Sequence, residues 1–250
     1  MNINYTVENF RENPEHKIYG VTIGIVTGIA DPENLGRIKV KFPHRDGERQ
    51  TDWIRMVSLM AGSSRGIFWL PEVNDEVLLA FNHGNIDEPY VIGALWNGQD
   101  KPPETAAVEQ NKVKIRKIKT TRGHEVTFTD KQNEDKLEVK TPAGNTVIME
   151  DQGKKITVKD ASGNNSIILD GQGRAVTAES GGKITLKASS CSIIIDGSAG
   201  ITIDSGSLPL KIKGGPTEIK AAANLKAEGA IIDIKGQGPV NIAGAIVKIN

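Results

Sequence analysis

Apolar residues alternate with polar ones through most of the distal half of the chain. From about Glu125 onward, two apolar residues flanking one other residue recur at short intervals. The pairs are Val126/Phe128, Leu137/Val139, Val147/Met149, Ile156/Val158, Ile167/Leu169, Val176/Ala178, Ile184/Leu186, Ile193/Ile195, Ile201/Ile203, Leu210/Ile212, Ile219/Ala221, Leu225/Ala227, Ile232/Ile234, Val240/Ile242 and Val247/Ile249. Period-two alternation puts one face of each strand into an apolar interior and the other into water. A repeat sustained over about fifteen units belongs to a fibrous architecture rather than to an enzyme core. The repeats step by about 9 to 11 residues at first and by about 6 to 8 at the end. Shorter turns and the late Ala221 and Ala227 predict a shaft that narrows toward the C-terminus.

The proximal half follows a different pattern. Residues 1–18 are polar with isolated apolar positions and read as an arm. Residues 19–97 alternate over Tyr19–Ile29, Arg37–Phe42, Asp52–Leu59, Glu76–Phe81 and Tyr90–Trp96, with a turn at Asp31–Gly36. Five strands joined by short connections predict a small closed barrel of the OB type. Trp53, Phe81 and Trp96 are the expected core aromatics. Residues 98–120 read as a linker, because Lys101-Pro102-Pro103 interrupts regular pairing. Residues 121–250 form the ladder.

A ladder whose unit is one strand and a turn cannot enclose a core alone. It would expose its apolar side chains and its strand edges, which favours pairing with other chains. Three identical chains around one axis solve this, each supplying strands to the shaft, with head-to-tail symmetry closing the ring. Backbone bonds would then run between chains, over a length on the order of 70 Å at ~4.8 Å per strand. The expected interior positions are Phe128, Val147, Ile156, Ile167, Ile184, Ile193, Ile195, Ile201, Ile203, Ile212, Ile232 and Ile234. The outer face reads as Lys, Thr, Asp and Glu.

Charge changes the picture little. The chain is neutral overall, but residues 1–110 carry about −6 and the remainder about +6. Lys112, Lys114, Arg116, Lys117, Lys119 and Arg122 form the largest basic cluster. Attraction to nucleic acid or lipid is one reading of it; a solvated collar at a domain junction is the preferred one. Cys191 is the single cysteine, so no intrachain disulfide is available, and its parity with Ile193 and Ile195 predicts a buried, inert thiol. No signal peptide is visible, and no apolar run approaches the roughly 20 residues of a membrane helix. Synthesis in the cytoplasm is expected.

The barrel motifs are DPENLGRIKVKFP (31–43), DWIRM (52–56), GIFWLPEVNDEVLLAF (66–81) and HGNIDEPYVIGALWN (83–97). As an ordered set they resemble the OB domain of the central spike proteins of contractile injection systems. That family includes phage baseplate assembly protein V and the spike part of type VI secretion VgrG proteins. The ladder resembles the family's triple-stranded β-helical needle. Asn74 stands where the pattern usually has Gly, a position Asn also tolerates in a left-handed backbone, and Glu88 where Arg is common.

The resemblance implies an all-β homotrimer at the end of a tail tube, driven into a target envelope when a sheath contracts. Its setting would be a baseplate or tail tip of a virion or injection particle. It implies a hub protein bound on the side of the arm, no lysozyme domain in the short 98–120 gap, and no cofactor. The sequence leaves ions on the needle axis open. Some family members bind iron at the tip through histidines, but no His follows His124 here. The last residues, still in strand pattern, would present an apolar face. A PAAR-type tip protein contacting Ile246, Val247, Ile249 and Asn250 is expected to cover it.

No motif supports catalysis. Glu72, Asp75 and Glu76 suit an acidic turn better than a glycosidase pair. His44, His83 and His124 lack ligand spacing. Gly62-Ser63-Ser64 is not a nucleophile elbow. Gly171-Gln172-Gly173 and Gly236-Gln237-Gly238 lack the helix and Lys of a phosphate loop. An acidic barrel half argues against single-strand nucleic acid. The competing reading is a β-helical adhesin or polysaccharide-degrading tailspike, which would need long lateral loops and exposed clefts that the short turns do not offer. Delivery of a docked effector is a third.

Overall fold

In the computed structural model the described residues are 17–43 and 50–248. Most of the expected arm, His44, Ile249 and Asn250 lie outside them. The described residues are all-β apart from a single 3₁₀ turn at Asn82–Gly84. The chain divides into two compact units, Met1–Gly181 and Gly182–Asn250.

The first unit opens with a barrel. Strands β1 (Val21–Gly28), β2 (Lys39–Lys41), β5 (Glu76–Phe81) and β6 (Pro89–Leu95) form an antiparallel sheet in the order β2-β1-β5-β6. Between them lies a two-residue-per-strand hairpin, β3 (Ala61–Gly62) with β4 (Arg65–Gly66). The expected strand Asp52–Leu59 is not a regular strand but still closes the barrel. Ile54 exchanges backbone bonds with Ile38 (3.0 and 2.9 Å), and the Val91 N–H donates to Arg55 O while its carbonyl accepts from Val57 N–H. The pairing is antiparallel to β2 and parallel to β6. Segment 50–57 thus joins the two free edges of the four-stranded sheet, so five segments close into one ring, as the OB expectation requires.

Alternate residues fill the ring: Val26, Val40, Val77, Leu79 and Val91 are fully buried, with Ile38 and Ile54. Gly24 is on the same face, and a Cβ there would lie 2.9 Å from Leu79 Cδ1; its absence lets Leu79 occupy the centre. The expected aromatic core is corrected here. Phe81 packs at the cluster's edge beside Phe42. Trp53 is half-buried under the Lys39 ammonium, outside the cluster. Trp96 is 70% exposed. A ring this small is filled by β-branched and Leu side chains and leaves no room for indoles. Phe68 and Trp69 are exposed too, so packing within this chain does not account for all the aromatics.

The Asp31–Gly36 turn forms around one carboxylate. Asp31 accepts from the N–H groups of Glu33 (3.1 Å), Leu35 (3.0 Å) and Arg37 (3.3 Å), and from Arg37 Nε (2.9 Å) and Nη2 (2.7 Å). The Arg37 fork, followed by these backbone donors, holds the Asp31 carboxyl well below the usual carboxylate range despite its burial.

After a short hairpin of β7 (Val108–Glu109) and β8 (Lys112–Val113), seven strands run as an antiparallel meander. They are β9 (Ile115–Lys119), β10 (Glu125–Thr129), β11 (Lys136–Lys140), β12 (Thr146–Glu150), β13 (Lys155–Lys159), β14 (Asn165–Asp170) and β15 (Ala175–Ser180). The sheet begins inside the segment read as a linker. Its first strand was illegible there because Arg116 occupies an alternate position otherwise held by apolar residues. In the second unit, β16 (Lys183–Ala188), β17 (Cys191–Asp196) and β18 (Gly200–Asp204) form a three-stranded antiparallel sheet. Residues 207–248 form no paired strand within the chain.

One expectation is refined. Over 115–180 and again over 183–204, consecutive strands of the chain exchange backbone bonds with one another. The shortening repeat also resides in the connections, which contract from residues 130–135 to 181–182 and 189–190. The strands keep five or six residues throughout, so the shortening lies in the turns alone.

Candidate functional site

Strand register turns the sequence pattern into a surface. Val126 lies opposite Val139 and Phe128 opposite Leu137; Leu137 opposite Met149 and Val139 opposite Val147. Val147 then faces Val158, Met149 faces Ile156, Ile156 faces Leu169 and Val158 faces Ile167. Ala178 and Val176 complete the two columns. Because the strand period is two, every one of these side chains is on the same face. None is buried: Phe128 is 43% exposed and Ile167 52%. In the second unit Ile184 and Leu186 oppose Ile195 and Ile193, which oppose Ile201 and Ile203. They too are unburied, Ile201 at 71%.

A file of apolar side chains on this scale far exceeds the scattered exposed hydrophobics of ordinary surfaces, and marks an association surface. Nine of the expected interior positions lie on these two faces. Ile212, Ile232 and Ile234 are exposed in the unpaired segment 207–248, as are Ile246 and Val247. The opposite face carries Thr127, Glu138, Thr157 and Thr177, but also Ile148 and Ile168 in the same central column. These two isoleucines depart from the expected polar exterior. Their sequence signal was visible, since each makes its strand apolar at three consecutive positions.

The two lateral edges of the seven-stranded sheet differ chemically. Turns at 120–124, 141–145 and 160–164 lie on one edge, and turns at 130–135, 151–154 and 171–174 on the other. The first edge is held by side-chain hydrogen bonds within and between its turns. Thr141 Oγ1 accepts from Asn145 N–H (3.1 Å), and Asn145 Oδ1 accepts from Ala161 N–H (2.9 Å). Asp160 accepts from Ser162 Oγ (2.7 Å) and Asn165 Nδ2 (2.8 Å), bonds that lower its carboxyl pKa to about 2. Ser180 Oγ donates to Asn165 Oδ1 at 2.7 Å. In the second unit, Lys183 and then Ser198 hold the Asp196 carboxyl well below its ordinary range.

The basic cluster is partly neutralised. Arg116 pairs with Asp130, Lys117 with Glu104 (3.0 Å), and Lys119 with Glu125 (2.9 Å). Mutual pairing lowers the carboxyl pKa of Glu104 and Glu125 and raises that of Lys117. This favours the collar reading over a phosphate-binding one. Cys191 is only partly buried, its Sγ 3.4 Å from Ser205 O.

The residues weighed for chemistry serve turns. Asp75 accepts from Glu72 N–H (2.8 Å), Glu72 from the Thr121 hydroxyl (3.0 Å), and Glu76 from Asn97 Nδ2 (3.3 Å). Asn74 has φ 81°, the left-handed backbone expected of it. Glu88 accepts from Asn82 and Asn85. Asp170 Oδ1 accepts from Gln172 and Gly173 N–H, which accounts for the Gly-Gln-Gly turn. Among the described residues no group of three or more His, Cys, Asp or Glu is placed to hold a metal ion. No helix of the described residues is long and apolar enough to cross a membrane.

The described chain is thus a closed five-segment barrel and an apolar-faced ladder of strands. The family model of the type VI secretion system/phage-baseplate injector OB domain matches residues 22–96, the span of this barrel. The chain is 31% identical over 127 residues to the type VI secretion system spike protein VgrG2a of Pseudomonas aeruginosa, covering 47% of this chain and 15% of that protein. It is 33% identical over 101 residues to VgrG5 of the same organism, covering 37% and 13%. Against the actin cross-linking toxin VgrG1 of Vibrio cholerae it is 27% identical over 135 residues, covering 50% and 12%. The chain is therefore similar to VgrG spike proteins, and is matched over a small fraction of those proteins' lengths.

Proposed function

We propose that this chain is the structural central spike of a contractile injection machine, acting mechanically and without an active site. Three copies turn their ladder faces to a common axis and form a needle. A hub protein holds the N-terminal side at the tube end. A PAAR-type tip protein covers the distal apolar positions around Ile246 and Val247. Contact with the target envelope is transient and serves to pierce it.

One observation carries the reading: the in-register apolar columns that a single chain leaves in water. Removing them from solvent is worth roughly 25 cal/mol per Å². Threefold closure satisfies identical faces without leaving one over. Residues 207–248, whose backbone makes no ladder within the chain, supply the segment in which strands from different copies pair. The match to the injector OB domain agrees with this setting.

Native mass spectrometry and sedimentation of the full chain test it. The expected particle is three times the 26.9 kDa chain mass. A monodisperse, ordered monomer would overturn it.

A further inference from the structure

Resting on the trimeric reading, the edges of the meander specify how neighbouring copies meet. In an antiparallel meander successive turns alternate edges. The two sets of turns are therefore staggered by one strand, ~4.8 Å along the stacking direction. When three identical sheets surround one axis, the first edge of each copy must abut the second edge of the next. Turns of one copy then enter the gaps between turns of its neighbour.

The turn at 160–164 lies at the level between β13 and β14. On the other edge, the flanking levels are the turns 151–154 and 171–174. Asp160 directly follows β13 on the first edge, whereas Lys154 and Arg174, both with a left-handed backbone (φ 46° and 51°), close the turns that lead into β13 and β15 on the second edge. Lys154 and Arg174 are exposed, and Asp160 is half-buried. Asp170, the carboxylate of the Arg174 turn, is engaged with Gln172 and Gly173 N–H. Asp151 lies in the same turn as Lys154, its backbone carbonyl accepting from Lys154 N–H at 3.1 Å.

We propose that each corner of the needle is keyed by an intermolecular ion cluster. In it, the Asp160 carboxylate of one copy seats between Lys154 and Arg174 of the next copy. Within one chain Asp160 and Arg174 are on opposite edges, separated by the six residues of β14, about 20 Å. Any strong coupling between them is therefore between chains. The cluster fixes the axial register, which two-column apolar faces alone define weakly because a slip by two strands restores the same parity.

A double-mutant cycle in the full chain tests this, with trimer dissociation read by sedimentation in urea. Asp160→Arg should weaken the trimer about tenfold, since three corners each lose a pair and gain a repulsion. Arg174→Asp should weaken it similarly, and the double reversal should recover at least half of the combined loss. Asp160→Asn, which keeps an acceptor for Ser162 and Asn165, separates the turn role from the pairing role. Failure of the double reversal to recover stability would sink the corner assignment while leaving the trimer intact. A wild-type chain that sediments as a monomer would instead remove the reading beneath it.

Discussion

Ile195 lies directly opposite Ile201 across the β17–β18 ladder, and both are on a face that one chain leaves largely in water. Ile184 opposes Ile195 from the other side. In the proposed needle all three point to the axis. Ile195→Asp or Ile203→Asp would bury three carboxylates at one level with no counter-charge, a cost of several kcal/mol per ion. The expected outcome is loss of the trimer in native mass spectrometry with the barrel still folded. Glu138→Gln and Thr185→Ser, on the opposite face, should stay within about 0.5 kcal/mol of wild type. A stable Ile195→Asp trimer would show that the apolar columns do not face the axis.

Leu79 fills the barrel centre because Gly24 withholds a side chain. Leu79→Ala removes a fully buried side chain from a ring with few others to collapse into the space. It should cost about 2–5 kcal/mol. Trp53, Trp69 and Trp96, the chain's three tryptophans, all belong to the barrel region, so indole fluorescence during urea unfolding reads this half selectively. A loss below about 1 kcal/mol would mean that the ring is looser than its buried residues indicate.

Asn74 holds a left-handed backbone at φ 81°, donating its N–H to Val26 O at 2.9 Å. Glycine reaches this region freely and β-branched residues do not. Asn74→Gly should leave stability within a few tenths of a kcal/mol of wild type, whereas Asn74→Val should lose about 1–3 kcal/mol. Equal melting temperatures for the two variants would remove backbone strain as the explanation.

The ladder was legible because strand alternation is a one-dimensional signal: Val147/Met149 and Ile156/Val158 announce both their strands and the face they share. Register followed, since connections between the strands are short. The barrel was legible as a set of strands but not in detail. Segment 50–57 makes its bonds at Ile38, Arg55 and Val57 without a regular strand, and no local pattern marks that. Trp96 misled because a large apolar ring suggests burial, whereas it stands just past the end of β6 and is 70% exposed. The direction of backbone bonding could not be read either. The same alternation serves β17, paired within its chain, and Ile232/Ile234, which are not. Edge chemistry was present in the turn sequences TPAGN and DQGK, but it acquires meaning only once the meander assigns them to opposite sides.

The Asp31–Arg37 fork sets an acid limit on the barrel. The carboxyl is held well below its ordinary 3.8, chiefly by Arg37 and further by the N–H groups of Glu33, Arg37 and Leu35, with burial opposing. A carboxyl depressed in the folded state contributes stability that is fully present above its unfolded pKa and fades as pH falls toward the folded value. Arg37 is raised beyond an already high ordinary value, so no matching loss occurs on the alkaline side in an accessible range. The barrel's melting temperature, followed by tryptophan fluorescence, should therefore show no pH dependence from this pair between about pH 5 and 8 and fall below about pH 4. Asp31→Asn should lower the melting temperature at pH 7 by several degrees and flatten the acid slope, so that the two curves approach one another as pH falls below about 4. An unchanged acid slope in the variant would assign the loss to other carboxylates and leave the fork a purely geometric role in the turn.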